Sequence, residues 1–260
     1  MLAAMPNMTD GASWLRGKTA LITGAAKRIG RATALALADE GVNVLVHYNR
    51  SSDEAEEVAG LVRQKGVGAW TLRADLAESD QAAALLARAT DRAGAIDVLV
   101  NNASTFHPSR LAEVGVDDML SDLQVNALSP FVLARALAAQ QRAGAIVNFL
   151  DCRIAEYDAS HAAYNLSKRT LFTLTRMMAL AFAPSVRVNA VAPGLILPPP
   201  GTDEAYLRKM APTDNPLRRI GSLTGITDAV VFLLRSPFVT GQVIFVDGGR
   251  HMKGSAYGGY

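Results

Sequence analysis

Cysteine is almost absent from this 260-residue chain, which contains only Cys152. One cysteine cannot form an internal disulfide, so we interpret Cys152 as a packing residue and expect a reducing, cytoplasmic environment. The sequence also lacks the His/Cys spacing typical of a metal site, and no bound metal is predicted. No apolar run reaches the roughly 18 to 20 residues that span a bilayer, and residues 1–16 do not resemble a signal peptide. A membrane or secreted protein is therefore not expected.

Acidic and basic residues nearly balance, so the chain also lacks a strong excess of either charge. The formal net charge is +2, and the basic residues are spread along the chain without the block that nucleic-acid binding needs. Half of the residues are hydrophobic, and a chain of this length can bury a large core. We therefore predict one compact domain over residues 1–260, with a flexible segment at residues 1–16 and no nucleic-acid partner.

Short apolar runs alternate with stretches of helical periodicity. The runs lie at residues 20–22, 42–46, 69–72, 98–100, 145–150, 186–191 and 242–246. Strands that are apolar throughout are typical of a parallel sheet covered on both faces. The pattern predicts an α/β fold, a Rossmann-type doubly wound sandwich with seven parallel strands and helices on both faces. Proline-rich residues 198–201 and the polar stretch to Asn215 break the pattern, so residues 195–217 are interpreted as a substrate lid loop.

The first apolar run leads directly into a glycine-containing turn and an alanine-rich helix. Gly24 and Gly30 lack the Cβ atom that would obstruct a pyrophosphate, and the N–H groups at a helix start attract an anion. The turn therefore predicts a dinucleotide phosphate site. The alternative is an ordinary strand-to-helix turn.

A second motif places a tyrosine and a lysine four residues apart, at Tyr164 and Lys168. On a helix this spacing puts both side chains on one face. A phenol becomes a useful proton shuttle near neutral pH when a neighbouring cation lowers its pKa from about 10, so we predict that Lys168 lowers the pKa of Tyr164. The same spacing also occurs on solvated helix faces, and the glycine turn is what favours the catalytic interpretation.

These two motifs, with Asn101-Asn102-Ala103 and Ala192-Pro193-Gly194 after two further apolar runs, resemble the short-chain dehydrogenase/reductase family over nearly the whole chain. Arg28 stands in the phosphate loop where most of the family has glycine. Together with residues 47–51, it resembles the pteridine reductase branch, which includes bacterial dihydromonapterin reductases. The resemblance implies a homotetramer.

The end of the second apolar run lacks the acidic residue with which NAD-preferring proteins hold the ribose hydroxyls. Six polar or basic residues there and in the phosphate loop suit a 2′-phosphate: Lys27, Arg28, His47, Asn49, Arg50 and Ser51. NADPH is therefore the predicted cofactor, and the alternative is that Arg28 and Arg50 are merely solvated. The resemblance implies further cofactor contacts from Ile29, Asp75, Leu76, Asn102, Ala103, Ser104, Tyr164, Lys168, Pro193 and Gly194, with Asp75 and Leu76 near the adenine.

The general family places a serine thirteen positions before the tyrosine, whereas this chain has Asp151. Carbonyl reduction builds negative charge on oxygen, which a carboxylate opposes. Reduction of a C=N bond is different, because a carboxylate favours an iminium or relays the proton that nitrogen needs. Asp151 therefore favours an imine, and the resemblance implies reduction of the N5=C6 bond of a 7,8-dihydropterin or dihydrofolate. The alternative is that Asp151 only caps a turn at the strand end.

An aromatic residue, Phe106, follows the fourth apolar run, at the sheet edge where open α/β folds bind ligands. Phe106 is predicted to stack on the flat pterin and Ser104 to hydrogen-bond it, although phenylalanine there is equally typical of plain core. Tyr164 and Asp151 would also contact the substrate. By family resemblance, Asn126 holds a water that links Lys168 to solvent.

The sequence is also compatible with two other functions. The first is an NADPH-dependent carbonyl or 3-oxoacyl thioester reductase of the same fold. The second is a non-catalytic NADP-sensing protein, whose usual mark is loss of the tyrosine or the lysine. Both residues are present here, together with Asn126, and this favours an enzyme.

Overall fold

A seven-stranded parallel sheet forms the centre of the molecule in the computed structural model, which describes residues 14–199 and 201–255. The strands are β1 (Thr19–Ile22), β2 (Asn43–Tyr48), β3 (Ala69–Arg73), β4 (Val98–Asn101), β5 (Gly144–Phe149), β6 (Val186–Pro193) and β7 (Val243–Val246). Their order in the sheet is β3-β2-β1-β4-β5-β6-β7, and every neighbouring pair is parallel. The predicted Rossmann-type sheet is confirmed.

Helices cover both faces of this sheet. They are α1 (Arg28–Asp39), α2 (Ser52–Gln64), α3 (Ser79–Ala93), α4 (Val116–Leu123), α5 (Ser129–Ala138), α6 (Ala162–Ala181), α7 (Glu204–Asp214) and α8 (Leu223–Arg235). A π-helix (Gln124–Leu128) joins α4 to α5, and short 3₁₀ helices lie at Cys152–Ala155 and Arg250–Ser255.

Alternate residues of each strand enter opposite cores, as the two-residue period of a strand requires. Ile22 of β1 packs in the core that also contains apolar residues of α1, α2 and α8. Its neighbour Leu21 packs in the core that contains residues of α3, α5 and α6. Both faces of β1, β4 and β5 are therefore buried, which explains why these strands are apolar throughout.

The lid region differs from the predicted loop, because most of its polar stretch is the helix α7. Asp203 caps this helix and accepts hydrogen bonds from the N–H groups of Ala205 and Tyr206. Leu207 is buried, and Pro212 lies in the last turn, where its missing N–H costs only one backbone hydrogen bond. The prediction that no helix forms there was wrong.

Several sequence predictions fall on residues outside the described ranges. They are residues 1–13 of the segment predicted to be flexible, Pro200 of the lid, and residues 256–260. Within the described ranges, no helix has the length and apolar character needed to cross a bilayer. Those ranges likewise contain no group of three or more His, Cys, Asp or Glu residues arranged to hold a metal ion.

Candidate active site

One large cavity, of about 1010 Å³, lies along the carboxyl ends of the central strands. This is the edge at which open parallel sheets bind ligands, beside the point where the strand order reverses around β1. The predicted site residues that line it are Gly24, Lys27, Arg28, Ile29, Gly30, His47, Asn49, Arg50, Ser51, Asp75, Leu76, Asn102, Ala103, Ser104, Phe106, Asp151, Tyr164, Lys168, Pro193 and Gly194. The fold therefore brings together every predicted site residue except Asn126.

Asp151 and Tyr164 are directly hydrogen-bonded at the inner end of this cavity. The Tyr164 hydroxyl donates to Oδ2 of Asp151 at 2.8 Å. Oδ1 of the same carboxylate accepts from the backbone N–H of Arg153 at 2.8 Å and caps the 3₁₀ helix that follows β5. The capping role considered from the sequence is thus real. The cap uses only Oδ1 of Asp151, and Oδ2 is left to accept the hydrogen bond from Tyr164.

The pKa of Tyr164 differs from the prediction. Burial, followed by the neighbouring charge and hydrogen bond of Asp151, raises this pKa well above its usual value of 10.0. The prediction that Lys168 lowers the pKa of Tyr164 was wrong. The Asp151 carboxylate accepts the hydrogen bond of the Tyr164 hydroxyl, whereas the Lys168 ammonium bonds to the Phe149 carbonyl. Tyr164 is consequently a protonated donor at neutral pH.

Lys168 faces the ring of Tyr164, with Nζ 5.8 Å from the ring centroid. Its ammonium donates to the backbone carbonyl of Phe149 at 2.9 Å. Only 3% of the residue is exposed, and burial lowers its pKa from 10.5 to about 8, even though Asp151 and Asp122 act in the opposite direction. Lys168 is thus a buried cation with a weakened hold on its proton.

Asn126 is buried in the π-helix, behind the cavity wall. Its Oδ1 accepts from the N–H of Thr105 at 2.9 Å, and its Nδ2 donates to the Thr105 carbonyl at 3.1 Å. Nδ2 also donates to Ser167 Oγ at 2.9 Å on α6. Asn126 therefore ties the loop after β4 to α6, the helix that carries Tyr164 and Lys168. Its link to Lys168 stays a prediction.

The two glycines of the phosphate loop are required by the packing of the loop itself. A Cβ added to Gly30 would lie 2.3 Å from the Gly24 carbonyl oxygen, and one added to Gly24 would lie 2.9 Å from Ala103 Cα. Asn102 reinforces this close approach, because Nδ2 donates to the carbonyls of Thr23 and Gly24 at 2.9 and 3.0 Å. The loop therefore has a preset backbone at the start of α1.

His47 has a role that differs from the prediction of a 2′-phosphate contact. Its Nδ1 accepts from the Gly24 N–H at 3.1 Å, and Nε2 lies 3.1 Å from the Ala74 carbonyl. Burial lowers the pKa of His47 from 6.5 to about 4, so the ring is neutral. Both ring nitrogens are occupied by backbone groups. The side chain positions the phosphate loop rather than donating to a phosphate.

The basic residues around the outer end of the cavity are in three different states. Lys27 is paired with Glu54 at 2.7 Å on the surface. Arg28 has a φ of +53° and donates from Nη2 to the Pro198 carbonyl at 2.8 Å, which joins the phosphate loop to the lid region. Arg50 is exposed and has no ion pair with any described residue. Arg28 bonds only to a neutral carbonyl, and Arg50 has no acidic partner among the described residues, so the charges of both arginines are available to an anionic ligand.

Phe106 lines the cavity beside Tyr164 and lies among other aromatic rings. Its ring meets Tyr164 edge-on, with centroids 4.7 Å apart, and stacks against His161 at 4.5 Å with an interplanar angle of 16°. The guanidinium of Arg153 is 5.9 Å from the Phe106 centroid. Phe106 is thus part of the site and not of the hydrophobic core.

Two arginines of the site were not predicted from the sequence. Arg153 follows Asp151 by two positions, and its backbone N–H orients that carboxylate. Arg250 lines the cavity and contacts Glu156 and Asp214, so it joins the C-terminal segment to the residue that follows the 3₁₀ helix Cys152–Ala155 and to the end of α7. Its position directly after Gly248-Gly249 was the sequence signal that could have identified Arg250. Both glycines have positive φ, so they form a tight turn after β7.

Comparison with known proteins gives a consistent family assignment. The family model described as enoyl-(acyl carrier protein) reductase matches residues 24–251. The 3-oxoacyl-[acyl-carrier-protein] reductase FabG of Staphylococcus aureus (strain Mu50) is 35% identical, over 90% of this chain and 98% of that protein. The chain belongs to the short-chain dehydrogenase/reductase family.

Solved structures resemble the chain over nearly its full length. FolM alternative dihydrofolate reductase 1 from Brucella canis, complexed with NADP, has a TM-score of 0.87 and 33% identity, and covers 94% of this chain and 97% of its own. The angucycline C-6 ketoreductase LanV with bound NADP has a TM-score of 0.84 and 28% identity, with coverages of 92% and 97%. The relatives thus include reductases with several different substrates.

Proposed function

We propose that the protein is an NADPH-dependent reductase that transfers hydride to the C=N bond of a dihydropterin, namely dihydromonapterin, dihydrobiopterin or dihydrofolate. The observation that carries this proposal is the 2.8 Å hydrogen bond between Tyr164 and Asp151. It places a carboxylate beside the proton donor, where carbonyl reductases of the family use a serine. The structural likeness to FolM alternative dihydrofolate reductase supports the same chemistry.

The residues of the cavity fit NADPH. The preset turn at Gly24 and Gly30 opens the α1 N-terminus to a pyrophosphate, and Arg50, which has no ion pair with the described residues, suits a 2′-phosphate. Asp75 and Leu76 line the end that would hold the adenine, and residues 102–104 line the region of the inner ribose. When bound, NADPH supplies the hydride.

Proton transfer is the step that the chain's own residues perform. Tyr164 is held in its protonated form, and Asp151 accepts its hydrogen bond. We infer that Tyr164 protonates N5 of the pterin first, that Asp151 stabilises the resulting iminium cation, and that hydride addition at C6 then neutralises this charge. Lys168, whose ammonium donates to the Phe149 carbonyl, would hold the nicotinamide ribose, and solvent would then restore the proton to Tyr164.

Phe106 and Ser104 are proposed to orient the substrate. Phe106 offers a ring to the flat pterin. The exposed Ser104, whose hydroxyl donates to Asn126 Oδ1 at 3.0 Å, offers its oxygen as a hydrogen-bond acceptor. A stacked pair of rings contributes about 0.5–1.5 kcal/mol beyond area burial. Stacking therefore orients the substrate, and hydrogen bonds supply the specificity.

A carbonyl or 3-oxoacyl thioester reductase is the second candidate, and the similarity to FabG favours it. The two functions separate in one assay, which follows NADPH oxidation with 7,8-dihydropterins, dihydrofolate, an acetoacetyl thioester and small ketones. Dihydropterins or dihydrofolate should give the highest kcat/KM. A higher kcat/KM with the thioester would establish the second candidate, and cofactor binding without any turnover would favour an NADP-sensing protein.

Cellular location and assembly belong to the same proposal. The single cysteine, which is buried, supports a cytoplasmic protein. A homotetramer is proposed from the family resemblance. Light scattering of the purified protein tests it, and a monomeric mass would contradict it.

A further inference from the structure

His161 packs against the aromatic wall of the site without being part of the cavity surface. Phe106 lines the cavity, whereas the residues that line it do not include His161. The two rings are 4.5 Å apart and nearly parallel, at 16°. The imidazole therefore covers one face of the Phe106 ring.

The imidazole is itself held in place by Asp158. The carboxylate of Asp158 accepts from Nδ1 of His161 at 3.0 Å and from its backbone N–H at 3.1 Å. Arg153 donates to the same carboxylate at 3.0 Å. The side chains of both His161 and Asp158 are less than a quarter exposed, at 23% and 18%. A carboxylate that accepts these hydrogen bonds leaves the ring little rotational freedom.

The loop that carries Phe106 is also joined by its backbone to the segment that carries His161. The N–H of Ser109 donates to the Ser160 carbonyl at 2.8 Å, and the N–H of Ala162 donates to the Ser109 carbonyl at 2.9 Å. The Ala163 N–H adds a bond to Ser109 Oγ at 3.1 Å. Both rings are therefore mounted on one hydrogen-bonded unit at the start of the catalytic helix.

We propose that His161 is a positioning residue that fixes the ring of Phe106 as a preset platform and thereby makes the site selective for planar substrates. This inference rests on the proposed role of Phe106 as the substrate-stacking residue. When the Phe106 ring is already ordered before binding, less conformational entropy is lost on binding and the affinity is higher. A planar ring system gains from this arrangement, whereas an acyclic substrate has no flat face to place on Phe106 and gains nothing.

A double-mutant cycle tests the inference on three substrates, namely a 7,8-dihydropterin, the bicyclic aromatic ketone 2-tetralone and an acetoacetyl thioester. His161→Ala should raise KM for the planar substrates about three- to ten-fold, the range that one aromatic pair supports. It should leave kcat, the KM for NADPH and the KM for the acyclic thioester within about two-fold. In the Phe106→Ala background, His161→Ala should have no further effect.

His161→Phe is the matched variant, because it keeps the stacked ring and loses the bond to Asp158. It should keep KM for planar substrates near the wild-type value, and thermal unfolding of each variant checks that the fold is intact. Equal increases in KM for planar and acyclic substrates, or effects that multiply in the Phe106→Ala background, would overturn the role of His161. If no dihydropterin is turned over, the proposed function fails, and the comparison of 2-tetralone with the thioester still decides the role of His161.

Discussion

The buried ammonium of Lys168 predicts an unusual dependence of stability on pH. Its pKa falls from 10.5 in the unfolded chain to about 8 in the folded protein, because burial disfavours the charge. Below pH 8 the lysine is protonated in both states. Between pH 8 and pH 10.5 only the unfolded state keeps the proton, so the free energy of unfolding rises with pH across this window.

The size of this rise follows from the pKa difference. At 1.36 kcal/mol per pH unit, the change from 10.5 to about 8 corresponds to about 3 kcal/mol, without a discount for screening because the side chain is buried. Lys168→Met removes the titrating group, so its stability should lack this increment. Other groups also titrate in this range, and the difference between the wild type and the variant isolates Lys168.

Urea unfolding at intervals between pH 7 and pH 11 measures this difference. The wild type should gain about 3 kcal/mol relative to Lys168→Met across the range, with most of the gain between pH 8 and pH 10.5. Lys209→Met is the matched control, because Lys209 is exposed on α7, and it should follow the wild-type curve. A constant offset between the wild type and Lys168→Met at all pH values would show that burial does not lower the pKa of Lys168.

Three substitutions test the other parts of the site. Tyr164→Phe removes the proton donor and should lower kcat by about 10²-fold or more, while NADPH affinity measured by fluorescence titration stays within about two-fold; near-normal turnover would exclude Tyr164 as the donor. Asp151→Ser should lower kcat/KM for dihydropterins at least about ten-fold and raise it for ketones, and parallel losses on both substrates would count against imine chemistry. Arg50→Asp should raise KM for NADPH about ten-fold or more and leave KM for NADH nearly unchanged; equal changes would show that Arg50 does not contact the 2′-phosphate.

The sheet and the location of the site could be predicted from the sequence, because both depend on local patterns. Continuous apolar runs mark strands buried on both faces, and glycines mark the turn after β1. Asp151 and Tyr164 are thirteen residues apart and lie on different elements, so only the family resemblance could place them together. The structure brings their side chains within 2.8 Å.

The electrostatic environment could not be predicted, because it depends on which groups the fold brings close. The spacing of Tyr164 and Lys168 indicated an ammonium beside a phenol, yet Nζ of Lys168 bonds to the Phe149 carbonyl. The environment of His47 was equally hidden, since its partners Gly24 and Ala74 come from two other strand ends. A basic residue at a strand end can face either solvent or backbone, and sequence alone does not distinguish the two.

Local backbone irregularities were also beyond the sequence. The π-helix at Gln124–Leu128 places Asn126 against Thr105, and no residue pattern predicts its extra residue per turn. The helix α7 forms in a proline-rich region because Asp203 caps it and its apolar residues reach the core. In both cases tertiary contacts outweigh the local signal.

The destination of the hydride is the most direct test of the proposed function. The enzyme would be incubated with a 7,8-dihydropterin and NADPH that carries deuterium at the transferred position, and the product would be examined by NMR and mass spectrometry. The expected product is a tetrahydropterin with one deuterium at C6 and a proton from solvent at N5. Recovery of unlabelled, unchanged dihydropterin would contradict the proposed function if an acetoacetyl thioester takes up the deuterium at its former carbonyl carbon.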